Sequence, residues 1–350
     1  MKKIDYIVVG FGLAGMAFCD QLERHNKSFV VFDANLPSAS KVAAGLINPV
    51  ILKRYTIPWK GDEQFDKALA FFKSVSNKLG IDIVDVLAIH KIFTSAEDQN
   101  NWFEASDKPV LNRFLSDELI RSQEAVKAPY GKGLVLESVR IEITKLLDLY
   151  AKSLRLKDSY ITSPFNYEIL EIDDSVGLRY GDFQAKHIVF AEGFGLKNNP
   201  YFNKLPLVGN KGEYIIIKAT DLQLCEAIKS TFFIIPLGDD LYKVGATFNW
   251  EDKDSEPSQS ALDELCTYLD KILNCNYEVV DQQAGVRPTT GDRRPLLGRH
   301  PQFPQLVLLN GLGTRGTMMA PYLAEVLFNY LEKDHPLDET ISLTRFPKKF

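Results

Sequence analysis

The opening stretch of the chain, Met1 to Ala34, constrains the fold more than any other. An apolar run from Ile4 to Val9 leads into Gly10, Gly12 and Gly15, then a helical pattern through about Arg24 and a second apolar run ending at Asp33. Strand, glycine-rich turn, helix, strand and acid in that order predict the first βαβ unit of a dinucleotide-binding sheet. The three glycines differ in what they permit. Gly10 makes the tight turn, Gly12 admits a pyrophosphate to the backbone, and Gly15 lets the helix pack closely on the sheet. The free N–H groups and dipole at the helix start, where Leu13 and Ala14 stand, favour the two phosphates. Asp33 lies where a carboxylate accepts hydrogen bonds from both ribose hydroxyls, and no arginine follows it to pair with a 2′-phosphate. NAD and FAD share this motif, so it leaves the cofactor open.

The rest of the chain must decide, and composition narrows the classes first. A net charge of −5 and a pI near 5.7 give no global attraction to nucleic acid or to an anionic membrane. Lys2 and Lys3 ahead of an apolar run imitate a secretory signal, but Asp5 and three glycines interrupt it and no small-x-small site follows. No apolar segment approaches the roughly eighteen residues of a membrane span. Cys19, Cys225, Cys266 and Cys275 are scattered without metal-ligand spacing, as are the five histidines, so free buried thiols in a reducing cytoplasm and no metal site are expected.

Past Asp33 and Ala34, the loop Ser38 to Pro49 is rich in small residues. Ala43, Ala44 and Gly45 allow a backbone to press against a flat ring, and apolar Leu46 and Ile47 argue that the loop is buried. The spacing of Phe65, Leu69, Phe72 and Val75 predicts a helix over Asp62 to Leu79, and an amphipathic pattern predicts another around Glu142 to Leu154. Between them, Ile81 to Ala128 reads as short strands and polar helices. Three strand-like runs follow: Ser159 to Thr162, Tyr167 to Ile172 with Ile169 inside it, and His187 to Ala191. The last stops at Ala191-Glu192-Gly193, a place where a strand end passes beneath a ligand's phosphates; Glu192 itself reads as solvated rather than catalytic. Strands at Tyr214 to Lys218, Thr231 to Pro236 and Leu241 to Phe248 look antiparallel, with a helix from Ser258 to Leu273 behind them. An irregular loop, a strand Leu306 to Leu309, a second glycine-rich turn Gly311 to Gly316 and a helix from Thr317 to Leu331 complete the chain.

Within that irregular loop lies Gly285-Val-Arg-Pro-Thr-Thr-Gly-Asp-Arg-Arg-Pro-Leu-Leu-Gly298. It is similar to the G-x-R-P-x-T-x-D-x-x-P-x-x-G pattern of the FAD-dependent amino-acid and amine oxidoreductases, the family of glycine oxidase, sarcosine oxidase and D-amino-acid oxidase. Gly285, Arg287, Pro288, Thr290, Asp292, Pro295 and Gly298 carry the match, and the Ala191-Glu-Gly193 strand end and the glycine turn before the last helix agree with it. The resemblance covers nearly the whole chain and is weakest from Ile81 to Ala128. It implies an α/β architecture: a Rossmann-type FAD-binding domain interleaved with an α+β substrate domain on a mostly antiparallel sheet. Residues 1–80, 134–205 and 285–350 fall to the first domain, and 81–133 and 206–284 to the second.

The resemblance also chooses FAD over NAD. Gly313, Thr314, Arg315, Gly316 and Thr317 then serve the flavin, because a helix start with free N–H groups favours negative charge on the reduced ring. Arg287 matches the arginine that holds a substrate carboxylate in relatives, a role for which its planar fork is suited; an internal ion pair with Asp292 is the competing role. With no cysteine near Arg287, non-covalent FAD is expected. The implied reaction oxidises the C–N bond of a glycine-like amino acid or secondary amine by hydride transfer, with Arg287 and Arg315 at the active site. The turn Gly-Thr-Arg-Gly316 is also similar to one in the oxidase domain of the bacterial tRNA wobble-uridine modification enzyme. A tRNA bearing a carboxymethylaminomethyl-uridine is therefore the second substrate class, with Arg293, Arg294 and Arg299 as a basic cluster. A non-catalytic FAD-binding protein is the reading from another class.

Overall fold

The computed structural model describes residues 1–121, 125–173 and 177–350, so positions 122–124 of the Ile81 to Ala128 stretch lie outside the described residues. The apolar run near the start forms the strand Lys2–Val9 and is paired on both sides: parallel to Phe29–Asp33 and parallel to Phe183–Phe190. Such a strand is covered on both faces, which is why it reads as an unbroken apolar run rather than an alternation. Tyr6 and Val8 face one core, and Ile4, Ile7 and Val9 face the other. The sheet grows outward to Tyr160–Thr162 beyond one neighbour and to Leu306–Asn310 beyond the other, all parallel, with Leu296–Arg299 antiparallel at the edge. Leu170–Asp173 and Gly177–Tyr180 form an antiparallel arm on the early part of Phe183–Phe190.

Helices cover one face of this sheet. Leu13–Arg24 packs against the last helix, Gly316–Glu332, which in turn packs against Gly61–Leu79. Gly316–Glu332 is apolar on almost every side because it is enclosed: Met318, Ala320, Leu323, Ala324 and Leu327 are all buried. Gly61–Leu79 matches the expected stripe through Phe65, Phe72 and Val75, opens with Asp62 and Glu63 at the positive end of its dipole, and stops at Gly80 in the left-handed region.

A second sheet of seven strands runs in the order Glu278–Thr290, Leu207–Lys218, Leu241–Gly245, Phe233–Gly238, Ala227–Lys229, Ile89–Ile92, Lys132–Val135. Every neighbouring pair is antiparallel except Ala227–Lys229 with Ile89–Ile92. One face buries Ile215, Ile217 and Val244 under the helix Gln259–Ile272. The other carries Asn210, Gly212, Tyr214, Lys243, Gly285 and Arg287 by the period-two alternation of paired strands, and looks toward the short helix Ala39–Val42. Contact is direct there, since a Cβ on Gly285 would stand 3.3 Å from the Ala39 Cα. A three-stranded sheet, Leu46–Ile47, Val139–Ile141 and Val84–Val86, lies nearby. No helix among the described residues is long and apolar enough to cross a membrane.

Several expected boundaries change. The stretch read as an irregular loop from Gly285 is extended as far as Thr290, because its backbone completes a twelve-residue pairing with Leu207–Lys218. That partner begins at Leu207 rather than Tyr214, since Gly209, Asn210 and Gly212 give it no strand-like apolar pattern and only pairing reveals it. Tyr167 to Ile169 is a 3₁₀ turn, with the strand starting at Leu170. Leu241–Gly245 stops three residues before Phe248, where the chain leaves the sheet.

Leu323 sits fully enclosed between the packed helices. Leu323→Ala is expected to cost about 2–5 kcal/mol of stability, seen as a lower urea midpoint with an unchanged slope.

Candidate active site

The parallel strands deliver their carboxyl ends to one edge of the first sheet, where the sequence-predicted residues gather. A Cβ on Gly10 would stand 2.7 Å from the Ala191 carbonyl oxygen, so the two strand ends are in contact. Gly15 leaves even less room: a Cβ there would lie 2.1 Å from the Gly10 carbonyl oxygen, which is how the helix Leu13–Arg24 approaches the strand so closely. Gly12 caps that helix with no side-chain hydrogen bond to its first turn from its own residue. The Leu13 N–H instead donates to Ser40 Oγ at 3.1 Å. Asp33 accepts from the N–H groups of Phe11 (3.1 Å) and Asn35 (3.2 Å) and from the Tyr160 hydroxyl (2.7 Å), which fixes its carboxylate beside the glycine turn.

The far end of the chain joins the same place. Asn310 closes the link: its side-chain amide donates to the Gly193 carbonyl (2.9 Å) and its side-chain oxygen accepts from the Gly311 N–H (2.7 Å). Gly313 to Arg315 form a 3₁₀ turn that runs into the helix at Gly316, and a Cβ on Gly316 would meet Leu13 Cδ1 at 3.6 Å. The starts of the first and last helices are therefore neighbours. Thr314 is exposed and Thr317 buried. The Arg315 guanidinium donates to the Asn48 carbonyl at 3.3 Å, which ties the turn to the loop after Gly45 and Leu46. Burial pushes its pKa down to about 10, and no carboxylate among the described residues pairs with it.

Arg287 projects from the second sheet toward this edge. Its guanidinium donates to Asn210 Oδ1 (2.7 Å) and the Thr247 carbonyl (3.1 Å), lies 4.8 Å over the Phe248 ring and contacts the Tyr214 hydroxyl, which also takes a hydrogen bond from the Ala44 backbone. Burial lowers its pKa, opposed by Tyr214. The ion pair with Asp292 does not form, because Asp292 turns away to Arg345. Space for the guanidinium comes from Gly212, where a Cβ would lie 1.9 Å from Arg287 Nη2. A half-buried cation held by neutral acceptors alone keeps its charge available for an anion.

Lys243 stands on the same face. Its ammonium donates to the Val42 carbonyl (2.7 Å) and Gln283 Oε1 (2.9 Å) and lies 4.8 Å over the Tyr214 ring. Burial draws its pKa down to about 8, with Asp281 acting against the shift and Arg140 adding to it.

Three expectations need correction or placing. Glu192 is not solvated: its carboxylate is held by the Tyr167 hydroxyl and by Asn199 Nδ2 at 2.8 Å, and burial raises its pKa. Ile169 is about half exposed on the turn that begins at Tyr167, the residue whose hydroxyl holds Glu192. The basic cluster is divided, since Arg299 points to His187 and the Pro304 carbonyl at one end of the strand Leu296–Arg299, whereas Arg294 lies over Trp59 beyond the other. Sequence reasoning missed Asn210, Gly212, Tyr214, Thr247, Lys243 and Asn310. Only Asn310 left a trace, as an Asn-Gly pair at a strand end; the others become neighbours through sheet pairing.

A model of FAD dependent oxidoreductases matches residues 5–329. The chain belongs to the FAD-dependent oxidoreductase family. Glycine oxidase of Bacillus licheniformis is 24% identical, over 93% of this chain and 92% of its own length. The tRNA 5-methylaminomethyl-2-thiouridine biosynthesis bifunctional protein MnmC of Caulobacter sp. (strain K31) is 24% identical over 98% of this chain and 57% of its own. Among solved structures, glycine oxidase from Geobacillus kaustophilus superimposes with a TM-score of 0.79 at 19% identity, covering 99% of each chain. The cofactor of this oxidoreductase is FAD, and the glycine turn, whose lack of Cβ atoms leaves its backbone open, fits a dinucleotide.

Two outcomes test this geometry. Gly212→Ala is expected to dislodge the Arg287 guanidinium and weaken binding of a simple carboxylate such as methoxyacetate about ten- to a hundredfold, with flavin content unchanged, measured by titration of the flavin spectrum. Lys243 is a cation below about pH 8 and neutral above it. Carboxylate affinity is therefore expected to fall as pH rises through that point, and the fall is expected to vanish in Lys243→Met.

Proposed function

We propose that this oxidoreductase oxidises the C–N bond of a glycine-like amino acid or secondary amine to an imine, with FAD held non-covalently. The supporting observation is Arg287: a guanidinium without a carboxylate partner among the described residues, in space that only Gly212 leaves free, on the face that meets the cofactor loop. Its planar fork suits two carboxylate oxygens. A substrate anchored there has its α-carbon and nitrogen directed away from the guanidinium, toward the turn Gly313 to Gly316, where Thr289 lies 3.6 Å from a Cβ position on Gly313.

The remaining assignments follow from the same edge. Gly10, Gly12, Leu13, Ala14 and Gly15 take the diphosphate, Asp33 with Ala34 the ribose, and Ala43 to Leu46, Ala191 to Gly193 and Gly313 to Thr317 the remainder of the cofactor. When bound, FAD supplies the two-electron acceptor for the hydride that leaves the substrate carbon. Arg287 orients the carboxylate, Tyr214 and Asn210 hold Arg287, and the loop through Ala44 closes over them. Loss of hydride from the carbon of a neutral amine asks for no general base, and water then hydrolyses the imine to a carbonyl compound and an amine or ammonia. None of the four cysteines lies on the strand Glu278–Thr290 or in the turn Gly311 to Gly316, which supports a cofactor that is not covalently attached; only Cys19 is buried, whereas Cys225 is exposed and Cys266 and Cys275 are partly so, against the expectation of four buried thiols.

The purified protein is expected to be yellow and to bleach when mixed anaerobically with glycine, sarcosine, proline or a D-amino acid. In Arg287→Ala the yellow colour is expected to remain, while the amine concentration needed for half-bleaching rises about a hundredfold. Unchanged bleaching in that variant would remove Arg287 from the site.

A further inference from the structure

The hydrogen bonds that hold the Asp33 carboxylate limit what it can accept from a ribose. Oδ2 receives the Tyr160 hydroxyl at 2.7 Å and the Asn35 N–H at 3.2 Å, and Oδ1 receives the Phe11 N–H at 3.1 Å. An ionised carboxylate offers about four lone pairs, shared between its two oxygens. Both places on Oδ2 are therefore taken, and Oδ1 keeps a single place open. An adenosine ribose presents two neighbouring hydroxyls, so this carboxylate alone serves only one of them.

Tyr160 is held where it stands. It is buried in the strand Tyr160–Thr162, which pairs with Phe29–Asp33, and its ring meets Phe11 of the glycine turn edge-on with centroids 5.2 Å apart. From the solvent side the exposed Arg155 lies 4.4 Å over the same ring and also reaches the hydroxyl. Burial, and then the bond to Asp33, raise the Tyr160 pKa, so the hydroxyl stays protonated and goes on donating to Oδ2. A phenolic oxygen that donates in this way still accepts. We propose that Tyr160 completes the ribose site: one ribose hydroxyl donates to Asp33 Oδ1 and its neighbour donates to the Tyr160 oxygen, so that two residues read the two hydroxyls. The relay from ribose through Tyr160 to Asp33 Oδ2 is a chain in which each hydrogen bond polarises the next. The assignment rests on Asp33 as the ribose residue.

The test compares FAD with its 2′-deoxyadenosine and 3′-deoxyadenosine analogues, titrated into the whole chain freed of flavin and followed by flavin fluorescence. The wild type is expected to bind FAD about tenfold more tightly than either analogue. Tyr160→Phe keeps the ring and removes one oxygen; it is expected to lose the preference against one analogue and to keep the other. Both preferences intact in that variant, whatever the absolute affinities, would overturn the proposal, as would a wild type that binds all three alike. Loss of both would overturn it too, since Tyr160 would then only prop Asp33. Asp33→Ala is expected to abolish both preferences. If it keeps them, the ribose lies elsewhere, and the reading of Asp33 fails together with that of Tyr160.

Discussion

The double pairing of the strand Lys2–Val9 is the constraint on which the rest of the structure depends. Val9 is matched to Phe32 on one side and to Phe190 on the other, so three chain segments far apart in sequence end at the same height. Gly10, Asp33 and Ala191 therefore emerge together, and Leu306–Asn310, in register with Phe183–Phe190, adds Gly311 to the group. A slip of one residue in any of these pairings would carry a buried side chain to the opposite face, and the two cores on either side of the sheet oppose it. The gathering of these residues at one edge is a consequence of register.

The second sheet supplies what the first cannot. A parallel sheet edge offers backbone N–H groups and helix dipoles, which suit phosphates, but its strand ends carry few long side chains. The antiparallel strands bring Arg287, Tyr214 and Lys243 onto one face and press that face against the loop from Ala39 to Gly45. The hydrogen bond from Lys243 to Val42 and the contact of Tyr214 with Ala44 join the second sheet to that loop.

Legibility from sequence followed the range of the interactions involved. The βαβ unit at the start was readable because a parallel buried strand, a glycine turn and an acid are all local signals, and the helix over Gly61–Leu79 was readable from its period. Arg287 was found through the spacing of its motif, but the motif says nothing of Asn210 or Gly212, which reach it only across a strand pairing between segments more than seventy residues apart. Glu192 was misjudged for the same reason: Tyr167 and Asn199, which hold it, belong to separate turns. The supposed cluster of Arg293, Arg294 and Arg299 shows the converse error, since neighbours along the chain are placed at opposite ends of a strand.

Gly212 and Arg287 occupy a single volume between them, divided wholly in favour of the arginine. Neither position is free to vary alone: a side chain at 212 collides with the guanidinium, and a small residue at 287 leaves a hollow lined by Asn210 and Tyr214. Volume therefore couples two positions that lie far apart in the chain, and the strand pairing between Leu207–Lys218 and Glu278–Thr290 is what brings that coupling about.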